Sequence, residues 1–207
     1  MSDPRVTVVY YSSTGTIHAL ARAITEGAEK AGAETRLRRV AELAPDDVVR
    51  SVPAWHQHLE ATRDIPVVTH DDLRWADGFI FGTPTRFGNV AAQVRQFIDT
   101  TSSIWQEGAL ADKAASGFTS AETPHGGHES TLISLYQVFM HWGAVIVPPG
   151  YVDDGASEHV GNPYGISVVA AENRPTQGEL EAARFQGGRV TDAARALRAM
   201  RQQQAAA

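Results

Sequence analysis

The sequence predicts a single α/β domain with an open, doubly wound parallel sheet that is covered by helices on both faces. Short apolar runs of strand type alternate along the chain with segments in which apolar residues recur at helical spacing. The strand runs are nearly continuous in apolar residues, as in strands that are buried on both faces. The 207 residues suit one domain, and no repeat or linker divides them.

The first half of the chain contains three predicted strands. Residues 6–11 form a β-branched and aromatic run, and residues 17–28 then carry apolar side chains on one face of a helix that Gly32 ends. Residues 35–40 alternate in polarity and predict a half-exposed edge strand. Residues 45–70 contain three prolines and predict a loop with short helices. Residues 79–81 predict a short buried strand.

The second half repeats the alternation and completes the sheet. Helical spacing over residues 90–98 precedes a strand at 114–118, and the helix over 132–139 precedes a buried strand at 144–147. The last strand is expected at residues 166–169, followed by a helix over 178–200. We therefore expect one domain over residues 5–200 and a disordered tail over residues 201–207.

Composition excludes several classes of protein. The chain has no cysteine, which excludes disulfides, thiolate metal sites, iron–sulfur clusters and a cysteine nucleophile. Its 24 Asp and Glu residues against 18 Lys and Arg residues argue against a nucleic-acid partner. The apolar runs are too short to span a bilayer, and no secretory signal is visible. We expect a cytoplasmic protein without a membrane partner.

The loop after the first predicted strand has the composition of an anion site. Ligands of such sheets bind beyond the carboxyl ends of the strands. Here four hydroxyl residues surround one glycine at a helix N-terminus, in the run Ser12, Ser13, Thr14, Gly15, Thr16 and Ile17. The run has neither the lysine of a triphosphate loop nor three spaced glycines, so it suits a phosphate monoester such as that of flavin mononucleotide (FMN). The alternative is an ordinary helix cap, which needs only one hydroxyl.

The loop over residues 82–89 carries features suited to a flat heteroaromatic ring. Pro84 stiffens the turn, two glycines permit close backbone approach, and Arg86 and Phe87 place a cation and an aromatic ring at the sheet edge. The alternative is that Phe87 belongs to the core and Arg86 is a solvated surface charge.

The loop over residues 119–129 combines hydroxyls, glycines and two histidines just before a helix. The spacing of His125, His128 and Glu129 matches no usual zinc pattern, so we expect no metal site. Gly126 and Gly127 instead favour a loop that folds over a planar cofactor.

The residues of these loops resemble one protein family. The string FIFGTPTRFGN at residues 79–89, with Gln93 and Arg95 after it, is similar to the tryptophan-repressor-binding-protein family of flavodoxin-like NAD(P)H:quinone oxidoreductases. The resemblance continues through Trp105, the HGG string at residues 125–127 and His141. It covers nearly the whole chain outside residues 45–70.

This resemblance implies a flavodoxin-like five-stranded parallel sheet in the order 2-1-3-4-5 that binds FMN noncovalently. Trp105 and Phe87 would bind substrate, with Trp105 reaching the pocket of a neighbouring subunit. His141 would be the catalytic residue beside the flavin, unless it is only a structural residue of its helix. The implied cofactor-binding residues are Ser12, Ser13, Thr14, Gly15, Thr16, Ile17, Pro84, Thr85, Arg86, Phe87, Ser120, Ala121, Glu122, Thr123, His125, Gly126, Gly127 and His141.

The implied activity is the FMN-dependent, two-electron reduction of quinones by NADH or NADPH, through ping-pong hydride transfer. The family assembles as dimers and tetramers, so self-association to a homodimer or a homotetramer is expected. The alternative is a flavodoxin-type electron carrier without its own small-molecule substrate. Thr14 and Thr16 replace a Tyr and a His common in the family, which puts the pyridine-nucleotide contact in question. Glu122 replaces a Gly and adds a negative charge beside the flavin loop.

Overall fold

The computed structural model describes residues 3–153, 158–159, 161–170 and 174–206, and it contains seven strands and eight helices within those ranges. In chain order the elements are β1 (Arg5–Tyr10), α1 (Thr16–Lys30), β2 (Glu34–Arg39), α2 (Asp46–Ser51), α3 (Pro53–Ala61), α4 (His70–Trp75), β3 (Gly78–Arg86), β4 (Asn89–Val90), α5 (Ala92–Asp99), α6 (Ser102–Gln106), β5 (Ala114–Ala121), α7 (His128–His141), β6 (Val145–Ile146), β7 (Ile166–Val169) and α8 (Gln177–Ala206).

The strands form one sheet whose main path is β2-β1-β3-β5-β6, and all pairs along this path are parallel. The predicted α/β class and parallel sheet are therefore confirmed. The predicted five strands in the order 2-1-3-4-5 are only partly right. β6 and β7 both pair with β5, at different ends of it, and β4 pairs antiparallel with β3. Both short strands were predicted from the apolar pattern, and together they occupy the position that the five-stranded order implied by the resemblance gives to one strand.

Burial on both faces explains the continuous apolar run of β1. Val6, Val8 and Tyr10 contribute to the apolar cluster that contains α1 and α8. Val9 and Tyr11 point the other way, into the cluster that contains α5 and α7. Because successive residues of a strand face opposite sides of the sheet, a central strand with helices on both sides is buried at nearly every position and is therefore mostly apolar.

Helices α1 and α8 touch at backbone distance through glycines. A Cβ atom on Gly27 would lie 1.9 Å from the carbonyl oxygen of Arg184, and one on Gly187 would lie 2.0 Å from that of Ile24. Helix α8 continues through Ala206, so residues 201–206 are helical instead of forming the expected disordered tail.

Strands β3 and β5 extend beyond their predicted ends. Gly82 pairs with Phe118, and Pro84 pairs with Ser120, so part of each predicted loop is strand. The extension requires glycine at position 82, because a Cβ atom there would lie 2.1 Å from the ring of Phe118. Residues 144–147 were predicted as a buried strand, but only Val145–Ile146 pair, and neither is buried.

The segment between β2 and β3 contains α2, α3 and α4, as short helices were expected there. Thr69 and Asp72 form a capping box at the start of α4. The same Asp72 carboxylate accepts hydrogen bonds from Arg36 and Arg38 of β2, at 3.0 Å each. Within the ranges described above, no helix has the length and hydropathy needed to cross a membrane.

Candidate functional site

The carboxyl ends of β1, β3 and β5 open into a cavity of about 760 Å³, which is in the usual range for a small-molecule site. All three predicted loops reach it. The predicted residues that line it are Ser12, Ser13, Thr14, Thr16, Ile17, Pro84, Thr85, Arg86, Phe87, Ser120, Ala121, Glu122, Thr123 and Gly126.

The hydroxyl loop at residues 12–17 leads directly into the N-terminus of α1. Gly15 is the N-cap of α1, with φ +112°, and its N–H donates to Ser12 Oγ at 3.0 Å. This glycine N-cap has no side-chain cap hydrogen bond, which favours the anion-site interpretation over an ordinary Ser or Thr cap. The first backbone N–H groups of a helix have no acceptor within the helix. The buried Thr16 Oγ1 likewise has no partner in the described chain, so an anion at this point would satisfy several donors.

Phe87 and Gly88 form the two-residue turn between β3 and β4. Both have positive φ, +53° and +75°, as in the type I′ turns that suit tight hairpins. The Phe87 side chain is fully exposed at the cavity, with a relative accessibility of 103%, so the core interpretation of Phe87 is wrong. Arg86 Nη2 lies 3.5 Å from Ser13 Oγ and brings a positive charge to the hydroxyl loop.

The glycines of the third loop allow it to fold back onto the end of β5 and to approach the second loop closely. A Cβ atom on Gly126 would lie 2.5 Å from Ala121 Cβ, and one on Gly127 would lie 2.7 Å from Gly88 Cα. Glu122 is exposed at the cavity rim. His125 is exposed outside the cavity lining, and the parts of the chain that the structure describes contain no group of three or more potential metal ligands.

Trp105 and His141 contact each other away from this cavity. The Trp105 Nε1–H donates to the backbone oxygen of His141 at 2.8 Å, and both side chains are exposed. His141 is the last residue of α7, whereas the cavity lies at the first turn, about 20 Å away at 1.5 Å per residue. A single chain therefore does not bring His141 to the cavity, contrary to the expectation that it reaches the flavin.

Three residues of the cavity wall were not predicted. Val52 is the N-cap of α3, Ala54 lies in the first turn of α3, and Ala170 directly follows β7. Ala170 could have been predicted, because it follows a parallel strand at its carboxyl end, where ligands bind. The sequence around residues 52–54 has no comparable signal.

Three aromatic rings lie behind the hydroxyl loop, on the side away from the cavity. The ring centroids of Tyr10 and His18 are 5.2 Å apart, and those of His18 and His58 are 5.4 Å apart. Burial lowers the pKa of His18 to about 4 and also lowers the pKa of His58. Both imidazoles are therefore neutral at pH 7, and the positive charge beside the loop comes from Arg86 and the helix N-terminus.

Known proteins share both the sequence and the fold. The family model for NADPH-dependent FMN reductases matches residues 4–158. An NAD(P)H dehydrogenase (quinone) of Deinococcus radiodurans is 48% identical over 166 residues, which cover 80% of this chain and 83% of that protein. One from Geotalea daltonii is 46% identical over 201 residues, covering 92% and 96%.

Solved structures show that the fold is flavodoxin-like. A WrbA-like flavodoxin protein from Agrobacterium tumefaciens matches with a TM-score of 0.68 and 27% identity, covering 94% of this chain and 99% of that one. An archaeal flavodoxin matches with a TM-score of 0.59 and 16% identity, covering 92% and 99%, which is a likeness of fold alone.

Proposed function

Because the chain belongs to the NADPH-dependent FMN reductase family, we propose that it is an FMN-dependent NAD(P)H:quinone oxidoreductase of the cytoplasm. One observation carries the proposal: three loops with phosphate-binding and ring-binding chemistry converge on a single cavity. The curated relatives named NAD(P)H dehydrogenase (quinone) support the enzyme over the electron carrier.

In this proposal the hydroxyl loop holds the FMN phosphate. Thr16 supplies a buried hydroxyl that lacks a partner among the described residues, and the first amides of α1 supply further donors. Arg86 adds the positive charge, since its guanidinium already reaches Ser13. These groups would hold the phosphate by hydrogen bonds and charge, so the proposed binding is noncovalent.

The other two loops would hold the planar ring. Phe87 offers an aromatic face that is exposed at the cavity, and Gly126 of the third loop also lines the cavity. Bound FMN would supply two-electron chemistry, accepting hydride from NADH or NADPH and reducing a quinone in a second, ping-pong step. The protein orients the ring and leaves one side open for each substrate in turn.

We assign Trp105 and His141 to a pocket completed by self-association to a dimer or tetramer. The two side chains form one exposed surface with Met140, whose side chain is also exposed. An exposed Trp beside an exposed Met is typical of a protein interface. In the assembly Trp105 would cover the quinone, and His141 would lie near the ring of a neighbouring protomer.

Absorption spectra and steady-state kinetics test the proposal. We expect the purified protein to be yellow, or to become yellow with added FMN, and to oxidise NADH with benzoquinone as acceptor. Initial rates with both substrates varied should give parallel double-reciprocal lines. A yellow protein that does not oxidise NADH or NADPH would contradict the enzyme and support the electron carrier.

A further inference from the structure

The carboxylate of Glu42, in the turn after β2, collects hydrogen bonds from three side chains. Its Oε2 accepts from Tyr11 Oη at 2.9 Å and from Trp55 Nε1 at 3.0 Å, and its Oε1 accepts from Gln93 Nε2 at 2.7 Å. Gln93 Nε2 also donates to Tyr11 Oη at 3.0 Å. The four side chains form a connected network around one acceptor group.

Two backbone amides complete the set of donors. The N–H groups of Leu43 and Ala44 donate to Oε1 of Glu42 at 2.9 and 3.0 Å. A carboxylate has about four lone-pair sites, so five donors saturate it. Partial burial opposes the charge of Glu42, but the hydrogen bonds from Ala44, Gln93 and Tyr11 hold its pKa below the ordinary value. The group is an anion at neutral pH.

Each side-chain donor lies on or next to a segment that lines the cavity. Tyr11 directly precedes Ser12 of the hydroxyl loop, and its backbone N–H donates to the carbonyl oxygen of Gly82 in β3 at 3.0 Å. Trp55 directly follows Ala54 of the cavity wall. Gln93 lies in the first turn of α5, just after the hairpin that carries Arg86. Three segments far apart in sequence therefore meet at one carboxylate.

We propose that Glu42 is a positioning residue of the flavin site. It holds the hydroxyl loop, the wall at residues 52–54 and the Arg86 hairpin in the arrangement that receives the flavin phosphate. The inference rests on the proposed function in one respect, which is that the cavity binds FMN. Glu42 does not line the cavity and acts through Tyr11, Trp55 and Gln93.

The variant Glu42→Gln tests this role at nearly constant side-chain volume. An amide has one acceptor oxygen, so its NH₂ group must face either the two donors on one side or the three on the other. We expect the FMN-loaded variant to release flavin faster than wild type on dilution. The release is measured as the recovery of FMN fluorescence. Its Kd for FMN should rise at least tenfold. Its Kd for riboflavin, which has no phosphate, should rise less.

Asp72→Asn is the matched control for general destabilisation. Asp72 is also a saturated carboxylate, with bonds from Arg36, Arg38 and Thr69, but it does not line or adjoin the cavity. We expect Asp72→Asn to lower the melting temperature while leaving FMN release and quinone turnover unchanged. Trp55→Phe and Tyr11→Phe each remove one donor, and both should give intermediate rates of FMN release. They also provide the test if Glu42→Gln does not fold.

The outcomes separate this inference from the proposed function. A wild-type protein that binds no FMN would overturn both. A flavin-loaded, active wild-type protein together with wild-type FMN release in Glu42→Gln, or in both single-donor variants, would overturn the inference alone. Equal losses of FMN and riboflavin affinity would also overturn the inference. Glu42 is proposed to position the residues that bind the phosphate, and riboflavin has no phosphate.

Discussion

Phe87→Gly should stabilise the flavin-free protein while weakening its affinity for flavin. Phe87 has a φ of +53°, and a left-handed backbone costs an L-residue about 1–2 kcal/mol. Glycine removes this strain but adds about 0.5–1 kcal/mol of backbone entropy to the unfolded chain. The Phe87 side chain is fully exposed, so its removal forfeits no burial. We expect a net gain of about 0.5–1 kcal/mol, or about 1–4 °C in Tm for a protein of this length.

The loss of flavin affinity follows from the exposed ring. If about half of the Phe87 side chain covers the bound flavin, roughly 100 Å² of apolar surface is involved, worth about 2 kcal/mol or about 30-fold in Kd. Urea unfolding of the flavin-free protein and FMN fluorescence titration measure the two effects separately.

Asp112→Gly is the control for this experiment. Asp112 also has a positive φ, of +57°, but it precedes β5 at the opposite end of the sheet from the cavity. Asp tolerates this conformation better than Phe, so its replacement should give a smaller stabilisation and an unchanged Kd for FMN. A Phe87→Gly variant that is less stable than wild type would refute the strain argument. An unchanged FMN affinity would refute the assigned contact.

Three further predictions concern buried groups and the proposed interface. As the pH is lowered from 6.5 to 4, His18 becomes protonated in the unfolded chain but not in the folded chain, so the free energy of unfolding should decrease. The full pKa difference corresponds to about 3 kcal/mol, and partial solvation of His18 should reduce this to about half. His18→Gln should flatten the curve of urea midpoint against pH. Gly187→Ala should cost about 2 kcal/mol or more in urea unfolding because of the clash with Ile24, whereas Gly188→Ala, whose Cβ would make only ordinary van der Waals contacts, should be neutral or stabilising. Trp105→Ala should raise the KM for quinone and leave the Kd for FMN nearly unchanged; a loss of FMN binding would contradict its placement.

Local pattern predicted the middle of the strands but not their ends. The apolar run of β1 depends only on burial on two faces, which is visible in sequence. The extension of β3 to Arg86 depends on pairing with β5, and no local propensity around Pro84 indicates it. The two-residue length of β6 was likewise not visible in the sequence, because it depends on the point at which the chain stops pairing with β5.

The cavity residues were predictable where they follow parallel strands, since the sheet brings these positions together. The path of residues 45–70 was not, because it is set by tertiary contacts such as the bond from Trp55 to Glu42. The family resemblance indicated His141 as a site residue, but a sequence pattern does not show how far along its helix the residue lies from the cavity. The 14 residues of α7 carry it away from the first turn, where the cavity lies.

If the hydroxyl loop at residues 12–17 binds the phosphate as proposed, its chemistry explains why a saturated carboxylate should lie next to it. A loop that contains lysine can attract phosphate through charge over several ångströms, whereas hydroxyls and amides bind only at hydrogen-bond distance and with suitable angles. The two imidazoles behind this loop are neutral at pH 7, so they add no long-range attraction. Beyond the attraction of Arg86 and the helix N-terminus, affinity for phosphate would depend on how well the donors are fixed before binding. Glu42 accepts hydrogen bonds from Tyr11, just before the hydroxyl loop, and from Gln93, just after the Arg86 hairpin. In the proposed role these bonds fix the donors of the loop before phosphate binds.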